Sequence, residues 1–391
     1  MTDLLRDTLT DQANSTEPPG LDLERIISAG DRRRRRRRTV AVAGTAMITL
    51  AVIATGLAVV GVTDREPAPA ALPFTERRAT YAAGTEIHYG KDVISVAPNK
   101  ISAFVQTDAG FVFVTEPGGV FVADGREVRR IRPDNTTSAL AADNRGTLAG
   151  WVQDNSDGSS DSVVYDVAAD RELVSTPTGN EESLGSRVQA PRIIAIDGNS
   201  AYFGTLRGVY RWDVTANKGE FLATALPNAV RTASSGLLVY QRPLQQPKPG
   251  LRLAAGPTPS DSGGREFVGQ QAFLSPTAKY LLTSPDDLVS VEPSWAGLQL
   301  FEVATGRKLP LPWADHSRLI FSQWIDDNTF IAVGERRNSP SSEVDLLTCS
   351  TQSLTCQVTT PAFSTFTFTK TPPRTPPFVL PLGTPMYWLF K

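Results

Sequence analysis

Cys349 and Cys356 are the only two cysteines of the chain, and they stand close together in the stretch LTCSTQSLTCQV. With Gln352 and Ser353 at a turn, Ser350 faces Thr355 and Cys349 faces Cys356. Directly opposed antiparallel residues have Cα atoms about 4.5–5.5 Å apart, within disulfide reach. A disulfide across a hairpin is therefore expected, in a domain that matures in an oxidising compartment. Zinc is the rival use of two cysteines. It would need further ligands, and the chain's two histidines, His88 and His316, are poor candidates to supply them.

Those histidines sit near strand-like or loop sequence with no cysteine or serine arranged as a triad, so both are read as structural. The stretch 154–161 (DNSDGSSD) is acidic enough to suggest calcium. Setting Gly158 at the sixth position of a calcium loop puts Gln153 first and Val164 twelfth, and Val164 has no oxygen ligand to offer. That segment, Asp286–Asp287 and Asp326–Asp327 are all read as solvated hairpin tips. Trp151, Trp212 and Trp324 lie in or beside apolar strands, where core packing is the ordinary role and a carbohydrate platform the alternative. No G-x-S-x-G, H-E-x-x-H or phosphate-cradling glycine loop occurs. No catalytic residue, cofactor-binding residue or metal site is assigned, and no cofactor is expected.

The elements that carry these residues are short apolar alternations broken by Gly, Asp and Asn, which point to an all-β domain. Strand–turn–strand units recur: GVFVADGREVRRI (119–131), VVYDVAADRELV (163–174), VYRWDVTANKGEFL (209–222) and LQLFEVATGRKLPL (298–311). The last apolar residue of each first strand is Val122, Val167, Val214 and Val303, giving steps of 45, 47 and 89, the last about two periods. The segment 250–255 (GLRLAA) fills the long gap, and 343–360 is one period further on. A period near 45 with several strands per repeat is that of a propeller blade. Six repeats are countable. Strand-like pieces at 85–96 and 377–382 remain over, and together they complete a seventh blade that closes the ring and removes its edges. Six or eight blades stay open as counts, and an array of two-sheet sandwiches as an architecture.

Two blade motifs can be matched to a family. Residues 274–280 (LSPTAKY) are similar to an S-P-D-G-K-Y turn, with Thr277 and Ala278 in place of Asp and Gly, and 304–307 (ATGR) after Phe301, Glu302 and Val303 is a blade-end turn. On these residues the chain resembles actinobacterial membrane-anchored proteins with WD40-like or TolB-like β-propellers, over about residues 80–391. The resemblance implies an all-β propeller of about seven four-stranded blades and transfers no function.

The N-terminal part has a different texture. Residues 39–62 carry no charge over 24 positions, and as a helix at 1.5 Å per residue they exceed the ~30 Å hydrocarbon core. Directly before them stand Arg32, Arg33, Arg34, Arg35, Arg36, Arg37 and Arg38. Positive charge stays inside, so residues 1–38 are expected in the cytoplasm and the rest outside the plasma membrane. The run is foremost a topology determinant; anionic inner-leaflet lipid is its second reading. A cleaved signal peptide ending near Ala68, Pro69 and Ala70 is the alternative to a single-pass anchor, although the apolar run and the region before it are long for one. The expected organisation is a cytoplasmic tail at 1–38, a transmembrane helix at 39–62, a Pro/Ala-rich linker at 63–80 and the propeller at 81–391.

Net charge is −2 overall, and no aromatic interleaves the arginine run, so nucleic acid is not an expected partner. The function expected is a non-enzymatic binding, sensing or scaffold module at the outer face, its ligand an extracytoplasmic protein or glycan. One alternative is a propeller hydrolase or lyase with its site in the central mouth. The other is a transmembrane regulator that reaches a cytoplasmic protein through residues 1–30.

Overall fold

The computed structural model describes residues 74–384, apart from several inter-strand segments, the longer ones being 176–191, 223–229, 242–251, 285–296 and 367–376. The arginines at 32–38 and the apolar run at 39–62 lie outside the described residues. Among the described residues no helix is long and apolar enough to cross a membrane.

Residues from Phe74 onward build a β-propeller of seven blades. Six blades are four-stranded antiparallel sheets of sequence-adjacent strands. Their first, innermost strands are Ile101–Thr107, Thr136–Ala142, Arg192–Asp197, Val230–Ser234, Gln271–Leu274 and His316–Trp324, in blades two to seven. Blade one is assembled from both ends of the domain. Thr80–Ala83, Glu86–Tyr89 and Asp92–Ser95 form three strands, and Val379 adds the fourth by exchanging two backbone hydrogen bonds with Ala82, of 2.9 and 2.8 Å. The pairing of leftover N- and C-terminal strands expected from the sequence is thus the closure of the ring.

The recurring hairpins of the sequence are the outer, third and fourth strands of successive blades. Val120–Ala123 pairs with Val128–Arg132, Ser160–Asp166 with Arg171–Ser175, Gly208–Asp213 with Lys218–Phe221, and Glu343–Ser350 with Thr355–Thr365. In these hairpins a largely buried third strand and a more exposed fourth strand flank a turn of small or polar residues, which is why they stand out in the sequence.

Period-two geometry makes the core. In Gly110–Thr115 (GFVFVT), Phe111 and Phe113 pack with Ile87 and Tyr89 of blade one, while Val112 and Val114 pack with Leu140 and Trp151 of blade three. Both faces are covered, so the strand reads as a continuous apolar run rather than an alternation. Each of these side chains is fully or almost fully buried, worth about 1.5–3 kcal/mol apiece in removed apolar surface. Ser200–Thr205 repeats the arrangement: Ala201 and Phe203 face blade three, and Tyr202 faces blade five. Phe74 is buried against Tyr89 and Phe111 at ring-centroid distances of 5.7 and 5.4 Å, so the ordered packing begins before the linker boundary drawn at residue 80.

Candidate functional site

The innermost strands surround a central cavity of about 440 Å³. Its wall takes residues from the inner strands of blades two to seven, from the segment 381–384 that follows Val379, and from Arg77. The C-terminal segment enters the ring closely. Gly383 N–H donates to the Phe104 carbonyl (2.9 Å) and its own carbonyl accepts from Leu140 N–H (2.6 Å). Gly383 has φ of 72°, and a Cβ there would collide with the Leu140 carbonyl oxygen, so only glycine fits this approach.

One mouth of the channel is formed by the turns that leave the inner strands, and it is rich in aspartate. Asp197 accepts the Ser235 and Gly236 amides of the next blade at 2.8 and 2.7 Å. Asp327 accepts the Thr277 amide at 2.8 Å, and Arg145 reaches it from blade three at 3.6 Å. Arg77 donates to Asp108 (2.8 Å) and to the Asn144 carbonyl (3.0 Å). Asp143 is 9% exposed and accepts the Arg145 amide at 3.2 Å. Burial pushes the Asp143 carboxyl up against the pull of the Arg145 and Gly198 amides, and Asp197 and Asp108 add to the rise. Burial likewise raises Asp108 against Arg77 and Arg145. Asp327 goes the other way: burial would raise it, but hydrogen bonds from Thr277 and Ser275, with the Arg145 charge, leave it below the usual range. These acids fasten one blade to another. Asp327, read from the sequence as a solvated tip, is instead an inter-blade clamp with 19% of its side chain exposed.

The other end of the channel is basic and amidic. Arg192 and Arg231 stand at the starts of the neighbouring inner strands of blades four and five, and Gln270 and Gln271 at that of blade six. Arg231 gives one N–H to Gln241 Oε1 at 2.6 Å. Arg192 Nε is buried without a hydrogen-bond partner, and burial lowers the guanidinium pKa with no acid to oppose it among the described residues. Arg77 Nη1, Gln106 Oε1 and Ser322 Oγ on the same cavity wall are also buried and unpartnered among the described residues.

The residues singled out in the sequence lie elsewhere. Cys349 and Cys356 form the expected disulfide at the expected register, with Cα atoms 4.0 Å apart. The loop is wider than a two-residue turn, spanning 351–354, with Leu354 at φ 55° and the Ser350 hydroxyl accepting the Gln352 and Ser353 amides. His88 stacks on Tyr81 at 4.4 Å. His316 is buried in blade seven, where its Nε2–H donates to Asp345 at 3.0 Å. Trp151 and Trp212 are core residues between blades, and Trp324 is 6% exposed and also borders the cavity. Asp154 caps its hairpin by accepting the Ser160 hydroxyl at 2.9 Å, while 155–159 and Asp286–Asp287 lie outside the described residues. Among the described residues no three His, Cys, Asp or Glu side chains are grouped to hold a metal ion.

Sequence reasoning missed the cavity residues. A usable signal was present for the mouth: an Asp directly after an apolar strand with Gly or Asn close behind, in 107–110 (TDAG), 142–146 (ADNRG), 196–199 (IDGN) and 325–328 (IDDN). For Arg192, Arg231 and Ser322 no local pattern exists.

No protein-family model matches the chain, and no curated protein does. Solved structures do resemble it. TolB from Acinetobacter baumannii aligns at 12% identity and a TM-score of 0.39, covering 60% of this chain and 63% of that one. The putative TolB from Agrobacterium tumefaciens aligns at 7% identity and 0.37, covering 71% and 88%. The β-propeller domain of the Trilobed protease from Pyrococcus furiosus aligns at 11% identity and 0.42, covering 66% and 84%. The match thus spans somewhat less than two thirds of the Acinetobacter chain.

Proposed function

We propose that this protein is a membrane-anchored, non-enzymatic binding or sensing module whose ligand occupies the central channel of an extracytoplasmic propeller. The observation that carries the reading is the cavity of about 440 Å³ on whose wall buried polar atoms of Arg77, Gln106, Arg192 and Ser322 have no partner among the described residues. A folded protein seldom buries hydrogen-bonding groups unmatched, and a ligand site is one reason to do so. The aspartates at the mouth are engaged in ion pairs or backbone hydrogen bonds that join blades, which favours binding over acid–base chemistry. The disulfide supports an oxidising, extracytoplasmic setting. The charge-free run at 39–62 behind seven arginines supports the anchor and its orientation. In this reading the tail at 1–30 is the surface open to a cytoplasmic protein, and an extracytoplasmic protein or glycan is a further partner.

The test is native mass spectrometry of the full chain purified from membranes in detergent. A retained low-mass compound is expected in the wild type, and its loss in Thr232→Trp, which narrows the channel wall. Retention of the same compound by that variant overturns the channel as the site.

A further inference from the structure

We infer that the aspartate-rich mouth of the channel is a gated port, barred by the Arg145–Asp327 ion pair and opened by release of the Arg145 side chain. The inference rests on the channel-binding reading above and adds the route by which a ligand exchanges.

Arg145 stands in the turn after the inner strand of blade three, and Asp327 in the turn after that of blade seven. Blades four, five and six separate them on one side of the ring, and blades one and two on the other. Their 3.6 Å contact is therefore a chord across the mouth, whereas Asp197 holds only the next blade along. The Arg145 charge also acts on Asp108 of blade two, opposing the rise that burial imposes there. The guanidinium thus lies within electrostatic reach of acids on both sides of the mouth.

The segment that leads into blade one ties the same mouth down beside this chord. Arg77 donates to Asp108 of blade two and to the Asn144 carbonyl of blade three. Gln106 of blade two donates to the Phe74 carbonyl at 3.1 Å, and Gln323 of blade seven donates to the Arg78 carbonyl. The Arg77 side chain is only 10% exposed, so these ties belong to the fixed frame.

The chord itself has fixed ends and a free middle. Asp143 accepts the Arg145 amide at 3.2 Å, and the Gly146 carbonyl accepts the Asp108 amide at 2.7 Å, which holds the turn that carries Arg145. At the far end Asp327 accepts the Thr277 amide at 2.8 Å. The Arg145 side chain between them is 59% exposed. A solvent-facing ion pair is weakly favoured and screened by salt, and an exposed side chain changes rotamer in picoseconds to nanoseconds. The bar can swing clear with no backbone movement.

The chain's only two cysteines are joined in the disulfide, so one added cysteine reports on the channel by itself. Ala142→Cys puts a thiol on the wall at the aspartate mouth, and Gln271→Cys puts one at the opposite end. The full chain in detergent is treated with N-ethylmaleimide, a small neutral reagent, and the adduct is followed by mass spectrometry. Adding Arg145→Ala should speed labelling of Ala142→Cys about two- to fivefold, the population released when an exposed ion pair is lost. Removing a nearby cation by itself slows a thiol, so the acceleration cannot come from thiol acidity. Raising salt from about 0.05 M to 1 M should speed the labelling likewise with Arg145 present, and have no effect once it is replaced. Arg145→Lys should keep the slow rate, and Gln271→Cys should respond to none of these changes. Equal rates at Ala142→Cys with and without Arg145→Ala overturn the gate. So does an equal acceleration at Gln271→Cys, which reports a loosened ring rather than an opened port. The site is judged separately. If the gate fails while Thr232→Trp still loses the retained compound, the channel reading stands; if no compound is retained, that reading falls whatever the labelling rates.

Discussion

Replacing Asp345 by Asn probes a buried acid that accepts four hydrogen bonds. The side chain is 3% exposed, and each carboxylate oxygen takes two donors. Oδ1 accepts Arg336 Nη2 at 2.6 Å and the Ala362 amide at 2.7 Å; Oδ2 accepts Arg336 Nε at 3.2 Å and His316 Nε2 at 3.0 Å. The Ala362 amide is available because Pro361, Ala362 and Phe363 bulge opposite this single residue, with Ala362 at φ 44°. The bulge places Phe363 against Tyr81 of blade one and against Phe378, at 4.7 and 5.0 Å. Asn keeps one acceptor oxygen and turns an NH₂ toward two donors. At about 1.5 kcal/mol per charge-assisted bond, losing two costs about 3 kcal/mol. For a domain of this size, at about 2.1 cal/mol/K per residue, Tm should fall by about 4–5 °C. The pH dependence has a definite sign. Burial would raise the Asp345 carboxyl, but the hydrogen bonds from Arg336, Ala362 and His316 outweigh it, so its folded pKa lies below the unfolded value of about 3.9. Its stabilisation is complete above the unfolded pKa and lost as pH falls through the folded one. Differential scanning calorimetry of wild type and Asp345→Asn should therefore show the full Tm gap at pH 7 and a narrowing gap below about pH 4. A gap under about 1.5 °C at pH 7, or one that persists unchanged at pH 2–3, would refute the reasoning.

Three further outcomes are expected. Cys349 and Cys356 should resist alkylation until reduced, and the Cys349→Ala/Cys356→Ala variant should lose about 2–2.5 kcal/mol in denaturant titrations, the chain-entropy value for so short a loop. Ala278 holds φ of 57° where the blade motif has glycine, so Ala278→Gly should gain about 0.5–1 kcal/mol and raise Tm; a loss would show that the left-handed turn is not strained. A reporter fused after Lys391 should be active only outside the cytoplasm, and protease added to spheroplasts should remove the propeller; activity confined to the cytoplasm contradicts the proposed orientation.

How much of this was legible in the chain follows from the range of the interactions involved. The outer hairpins were readable because an apolar, buried strand is joined to a more polar, exposed one by a short turn of small or polar residues, all within one stretch of sequence. The Cys349–Cys356 register was readable because both residues belong to one hairpin, where period-two geometry fixes facing positions. The closure of blade one was legible as two unmatched strand-like ends, although only the fold shows Val379 bonded to Ala82. The inner strands were harder. Buried on both faces and at the channel edge, they carry no alternation to mark which residue looks inward. Asp327 illustrates the limit: beside Asp326 and Asn328 it has the composition of a solvated tip, and its role depends on Thr277, some fifty residues away in the neighbouring blade. Arg192 and Arg231 are ordinary single arginines in the sequence, brought onto one cavity wall because the ring sets their two inner strands side by side. Local chemistry and periodicity determined the strands, the turns and the disulfide. The cavity and its charge exist only after seven blades close, because the wall is drawn from the inner strands of blades two to seven and from the C-terminal segment, and no stretch of sequence contains the site.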